Sequence, residues 1–193
     1  MNSTLAFGSV GSTIRLRSGK YFDLANPKPD QFEFADIAVA LSRLPRFNGQ
    51  CGADYKVAEH CCRCAFQSEL DGCGNYEYLA VLMHDAAEAF VGDMTRPLKG
   101  LIGPLYSAIE KAVQNAIGER FGIDFQKHAA LIKEIDNAML IAERRHWFTA
   151  DGVEWAGEKT ARVLTPKFNV APWAAWKCEE VFTNEALTCG LLP

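Results

Sequence analysis

Apolar positions follow a helical period along most of this chain. From Phe34 the spacing turns helical, with Asp36 as the expected N-cap of a short helix through Leu44. Pro45 ends it, because a proline ring disfavours helical backbone at the residue before it. Asn48-Gly49 signals a turn. A second helix is expected from about Lys56 to Ser68, before Asp71-Gly72-Cys73-Gly74-Asn75 breaks the pattern. Tyr76 to Phe90 reads as a third helix, and its interior, Leu79 to Met83, is apolar on every side, as in a helix buried all round. Gly92 and Pro97 punctuate a loop. Pro104, tolerated in a first helical turn, opens a long helix to about Phe121, and another covers about Ala129 to Phe148. Asp151-Gly152 to Asn169 is expected to be an irregular connection, and Ala171 to Ala186 a closing helix. Ser18 to Phe22 reads as a short extended segment ahead of a loop at Asn26-Pro27-Lys28-Pro29. With no internal repeat, the pattern predicts an all-α, compact helical bundle. It forms one domain over residues 1–193, with its core at about 34–148 and a closing helix at about 171–186.

Composition adds limits. A chain of 193 residues, 49% hydrophobic and 23% charged, can bury a core without a disulfide or structural metal, so a metal site in it would be functional. A net charge of -4 argues against a nucleic-acid polymer or an anionic membrane as partner, yet allows a small anionic substrate met by a few local cations. The seven cysteines are odd in number, and Cys61-Cys62-Arg63-Cys64 falls inside a helix, so buried thiols in a reducing cytoplasm are expected. Met1 to Arg17 lacks the charged start and apolar run of a signal peptide, and no stretch reaches the ~18 apolar residues of a membrane span.

Candidate chemistry lies where ionisable residues interrupt apolar helices. His84 and Asp85 fall in the most apolar helix, and Glu88 follows one turn later. A buried carboxylate needs a strong partner, and a divalent cation would be one; taken alone, the pair could equally be a satisfied core histidine beside a helix-end carboxylate. His60 in Val57-Ala58-Glu59-His60 and Asp136 beside the apolar stripe of a later helix extend the set. Four such nitrogen and oxygen donors suit Zn, Co, Mn, Ni or Fe and leave positions open for water and substrate; Mg is an option as a second ion on phosphates.

The order H…HD…D on these helices resembles the HD superfamily of phosphohydrolases. Leu79 to Lys99, with His84-Asp85-Ala86-Ala87-Glu88, Gly92-Asp93 and Pro97-Leu98-Lys99, is similar to the bacterial 5′-deoxynucleotidases. Asp36-Ile37-Ala38, Arg46-Phe47-Asn48-Gly49 and Val57-Ala58-Glu59-His60 resemble their prophage-encoded relatives and the phage dATP triphosphohydrolases. The resemblance spans about residues 18 to 180. It implies an HD-domain helical bundle with His60, His84, Asp85 and Asp136 as metal ligands, and Glu88 handling a proton beside an activated water. It further implies Asp93 near a 2′-deoxyribose, Arg46, Lys99 and Lys133 on phosphate, and Phe47 stacked on a base, while Gly49 leaves base choice open.

The activity expected on this footing is hydrolysis of a 2′-deoxynucleotide, with release of triphosphate from a dNTP such as dATP put first and removal of phosphate from a dNMP second. A nucleotide-binding regulatory module without turnover is the alternative of another class. A deoxynucleotide is the expected partner, in a cytoplasmic homo-oligomer. His128 and His146 stay outside the metal set, and the tryptophans at 147, 155, 173 and 176 are assigned to packing of the C-terminal region or a subunit interface.

Overall fold

The computed structural model describes residues 11–164, 166, 168 and 171–190. The sequence reading of residues 1–10, and of 165, 167, 169 and 170 in the expected connection, lies outside the described residues. The described residues are all-α apart from one small hairpin. Strand β1 (Thr13–Arg15) pairs antiparallel with β2 (Tyr21–Asp23), Ile14 opposite Phe22. Helix α1 spans Phe34–Leu41, α2 Val57–Leu70, α3 Asn75–Leu82, α4 Glu88–Val91, α5 Arg96–Ile102, α6 Pro104–Phe121, α7 Ala129–Trp147 and α8 Ala175–Thr188.

The central helix is α2. Ten of its 14 residues are buried, including Glu59, His60 and Arg63, and it packs against α3, α7 and α8. Around it, Phe22, Phe32 and Phe90 cluster with centroids 4.7–5.1 Å apart, so the hairpin seals one end of the core. Near α8, Phe34 stacks on Phe182 at 5.7 Å.

Four local expectations need correction. Asp36 is not the N-cap of α1: Glu33 holds that position, and the buried Asp36 carboxylate instead accepts the Ser18 N–H at 2.9 Å, tying the hairpin to the helix. The helix also stops at Leu41, three residues short of Leu44, because Ser42 turns its hydroxyl onto the Val39 carbonyl. Residues around Pro97 form a short helix, α5, since proline in a first turn lacks only an N–H that would be unpaired anyway.

The largest correction concerns Tyr76 to Phe90. That stretch is two helices, α3 and α4, separated by turns over residues 83–87. The backbone bonds there shorten to three-residue steps, Ala86 N–H to Met83 and Glu88 N–H to Asp85. Gln114 of α6 bridges the break: its amide donates to the Met83 carbonyl and accepts the Ala87 N–H, both at 2.9 Å. His84 and Asp85 therefore sit in an externally supported turn rather than in a continuous helix.

The seven cysteines are free thiols, five of them buried. His128 occupies the N-cap position of α7, with no side-chain capping bond. Trp147 packs on Tyr55 at 5.4 Å, whereas Trp176 is exposed. Among the described residues no helix is long and apolar enough to cross a membrane.

Candidate metal and phosphate site

Three elements bring four donor atoms together. His60 from α2 and His84 from the turn after α3 place their Nε2 atoms 3.3 Å apart. Asp85 Oδ2 lies 3.6 Å from the first and 3.3 Å from the second, and Asp136 Oδ1 from α7 lies 3.3 and 4.0 Å from them. Bonds of ~2.0–2.2 Å to one ion would separate such donors by roughly 3.0–3.5 Å, and these five separations, 3.3–4.0 Å, come within about half an ångström of that range.

Both imidazoles are held from behind. His60 Nδ1 donates to Glu143 Oε1 at 2.5 Å, and His84 Nδ1 donates to the Val81 carbonyl at 2.7 Å. With Nδ1 committed as a donor, each ring turns Nε2 toward the carboxylates, and in the neutral ring that nitrogen carries the lone pair that a metal-ligating histidine needs. Glu143 also accepts from the Tyr55 hydroxyl at 2.9 Å and from Arg46 at 3.2 Å, which keeps its fully buried charge satisfied. The sequence reading missed Glu143. It lies two turns beyond Asp136 on the face that carries Met139 and Ala142, so a polar residue on the buried stripe of α7 was the available signal.

The electrostatics follow from this crowding. Burial works against the Asp136 charge, but the His60 hydrogen bond and the nearby imidazoles hold its carboxyl down at about 2. Asp85 is held well below the usual range against its burial, by His84 first and then by His60 and Arg46. Burial, and for His60 also Arg46, pulls the two rings down, and Cys64, Glu143 and Asp136 for the first, Asp85 for the second, more than offset it. A proton and a cation therefore compete for the two Nε2 atoms. Glu88 goes the other way: burial, then Asp85 and Asp93, push its carboxyl well up, and its Oε2 is buried with no hydrogen-bond partner. Its carboxyl is thus biased toward the protonated form beside the donor cluster. Asp93 is also raised, by burial and by Asp85, against the pull of Arg46.

Two thiols border the cluster. Cys64 Sγ lies 3.6 Å from His60 Nε2, and Cys61 groups with His84 and Asp85. Cys64 likewise groups with His60 and His84; burial pushes it up to about 11 and raises Cys61 as well, so each thiol would bind an ion only with loss of its proton.

A cavity of about 640 Å³ opens over two of the four donors, Asp85 and Asp136. Asp85, Asp136, Glu88 and Asp93 line it together with Arg46, Lys99 and Phe47, so nearly all the residues picked out in the sequence meet in one place. Arg46 is buried, 3.5 Å from Asp85 and 3.2 Å from Glu143; burial disfavours its charge, but Glu143, Asp85, Asp93 and Asp136 hold it firmly protonated. Lys99 is held by Glu110 at 2.7 Å. Lys133 is not brought to the site: it is exposed on α7 and does not line the cavity. Arg96, which the sequence reading passed over, does line it, 3.3 Å from Asp136 Oδ2 and 2.7 Å from Asn137.

Phe47 and Asn48 adopt left-handed backbone, φ 56° and 53°, which costs a bulky residue ~1–3 kcal/mol and points to a position fixed by its surroundings. Two bonds fix it: Arg46 N–H to the Tyr55 carbonyl at 2.9 Å and Gln50 N–H to the Phe47 carbonyl at 3.0 Å. The kink turns Arg46 inward and lays Phe47 on Phe148 and Trp155, at 5.1 and 6.1 Å.

Over 163 residues the chain is 34% identical to YfdR of Escherichia coli K12, covering 84% of this chain and 87% of that protein. The chain belongs to the same family as YfdR. It is also 36% identical over 134 residues to a protein of Rhodobacter capsulatus, covering 67% of this chain and 68% of that one. Both relatives are described as uncharacterized proteins. No protein-family model matches the chain.

Proposed function

We propose that this member of the YfdR family is a metal-dependent phosphohydrolase of the HD type acting on 2′-deoxynucleotides. The observation that carries the reading is the meeting of four donor atoms, both histidines held from behind at Nδ1, beside a cavity lined by Glu88, whose carboxyl is biased toward its protonated form, and by three cations. A divalent ion at His60, His84, Asp85 and Asp136 would supply an activated water and charge stabilisation on a phosphoryl oxygen. Around it the chain does the rest. Arg46, Arg96 and Lys99 bind and orient phosphate oxygens by charge-assisted bonds. Glu88, protonated in its buried place, gives its proton to the leaving oxygen. Asp93, in the lining of the same cavity, meets the sugar in this reading.

Each of the three cavity cations is already paired with a carboxylate, Arg46 with Glu143, Arg96 with Asp136 and Lys99 with Glu110, and this favours the smaller charge of a deoxynucleoside monophosphate as substrate. Arg96, with its side chain 56% exposed, keeps release of triphosphate from a dNTP as the second reading.

The test is a panel of dNMPs, NMPs, dNTPs and NTPs with Co, Mn, Zn or Mg, products being resolved by chromatography. Phosphate released from dNMPs, abolished by chelation and restored by metal, is the expected result. No phosphate, pyrophosphate or triphosphate from any nucleotide with any metal would overturn the hydrolase reading. Equal rates on ribo- and deoxynucleotides would overturn the sugar assignment.

A further inference from the structure

The stretch after α7 does more than connect two helices. Arg144, in the last turn of α7, gathers residues 151–158 around its guanidinium: it bonds Glu158, Asp151 at 3.1 Å and the Val153 carbonyl. Glu158 in turn accepts the Trp155 N–H at 3.1 Å, and the Trp155 ring lies 4.9 Å from the Arg144 guanidinium carbon. So latched, Trp155 packs against Phe148 at 5.3 Å, and the two rings with Phe47 make the aromatic side of the cavity that holds Asp85, Glu88 and Asp136. Phe47 is fixed by its kinked backbone and Phe148 directly follows α7, whereas Trp155 rides on irregular chain.

We propose that Trp155 is a specificity-determining residue: with Phe148 it forms a wall on which a planar aromatic group of the substrate, a nucleobase, stacks, and Arg144 is the positioning residue that holds it there. An aromatic face accepts any base, so this wall selects for the presence of a base more than for its identity. The proposal rests on the phosphohydrolase reading only for the phosphate end of the ligand.

The experiment measures, by equilibrium dialysis with Co(II), binding of two methylenephosphonates whose C–P bond resists hydrolysis: that of deoxyadenosine and that of deoxyribose lacking the base. Wild type should bind the base-bearing compound roughly 5- to 150-fold tighter, the range for one base on one aromatic ring. Trp155→Ala should remove most of that difference without changing the affinity for the sugar compound, and Trp155→Phe should restore most of it. Arg144→Ala should reproduce the same selective loss. A difference that survives Trp155→Ala, equal affinity of wild type for both compounds, or binding of neither overturns the proposal. Equal weakening of both compounds by Arg144→Ala would reduce Arg144 to a structural role. Turnover is not read in this experiment, so failure of the hydrolase reading shows separately in the nucleotide panel.

Discussion

Glu143 Oε1 lies 2.5 Å from Nδ1 of His60, and both side chains are fully buried. Because the carboxylate fixes which ring nitrogen carries the proton, it governs the metal-binding capacity of a histidine that it does not share an ion with. Glu143→Gln keeps the shape and can still accept a bond, but it lacks the charge that favours the donor at Nδ1. The expected effect is a 10- to 100-fold weaker affinity for Co or Zn, the usual cost of disturbing such a partner, with helicity unchanged. Metal titration followed by calorimetry, alongside circular dichroism, checks this; unaltered affinity would show that His60 orients itself without Glu143.

Glu88 should reveal itself through pH. Its folded carboxyl is raised above the ordinary value by burial and by Asp85 and Asp93, so the folded state resists an ionisation that the unfolded chain undergoes freely. Below the unfolded value of 4.5 both states are protonated and the group makes no difference; as pH rises through the folded value, stability is lost. Glu88→Gln, which mimics the protonated acid, should therefore leave the Tm of metal-stripped protein unchanged near pH 4.5 and raise it progressively toward pH 8. Under the proposed mechanism the same variant retains metal but turns over ~10²–10⁴-fold more slowly. A Tm difference that is constant with pH would contradict the buried, protonated Glu88.

The cations separate by position. Arg96→Ala and Lys99→Ala should each raise KM for a deoxynucleotide by about 10- to 100-fold, as expected for loss of one hydrogen bond to a charged group, while Lys133→Ala should change it by less than about two-fold. Steady-state kinetics on the three variants decide the matter, and a large effect at Lys133 would place phosphate on the outer face of α7 instead of in the cavity.

Much of this arrangement was legible in the sequence because burial is written in pattern. His60, His84, Asp85 and Asp136 stand out as ionisable residues within apolar helical stretches, and the structure brings all four together. The helices α2, α6 and α7 likewise end close to their sequence signals. What the pattern hid was decided by partners distant in the chain. Periodicity could not locate the break at residues 83–87, since Leu79 to Met83 and Ala86 to Ala87 are apolar throughout and the Met83 carbonyl at the break is also met by Gln114, 31 residues away. Lys133 was misjudged and Arg96 passed over for a related reason: Lys133 lies one turn before a ligand but on an exposed position of α7, whereas Arg96 starts α5 and meets Asp136 only across 40 residues of chain.

The amide of Gln114 has a consequence for the two central ligands. His84 and Asp85 hang between α3 and α4 like a span fastened at midpoint to a separate pier, one whose footing is α6. Fraying of either flanking helix leaves that fastening in place, whereas sliding α6 along its axis by a fraction of a turn would drag Met83 and Ala87 and splay His84 from His60. The tolerance of the donor cluster is thus set by how firmly α6 docks on the core, through Val113, Ala116 and Ile117, more than by the helices that carry the ligands themselves.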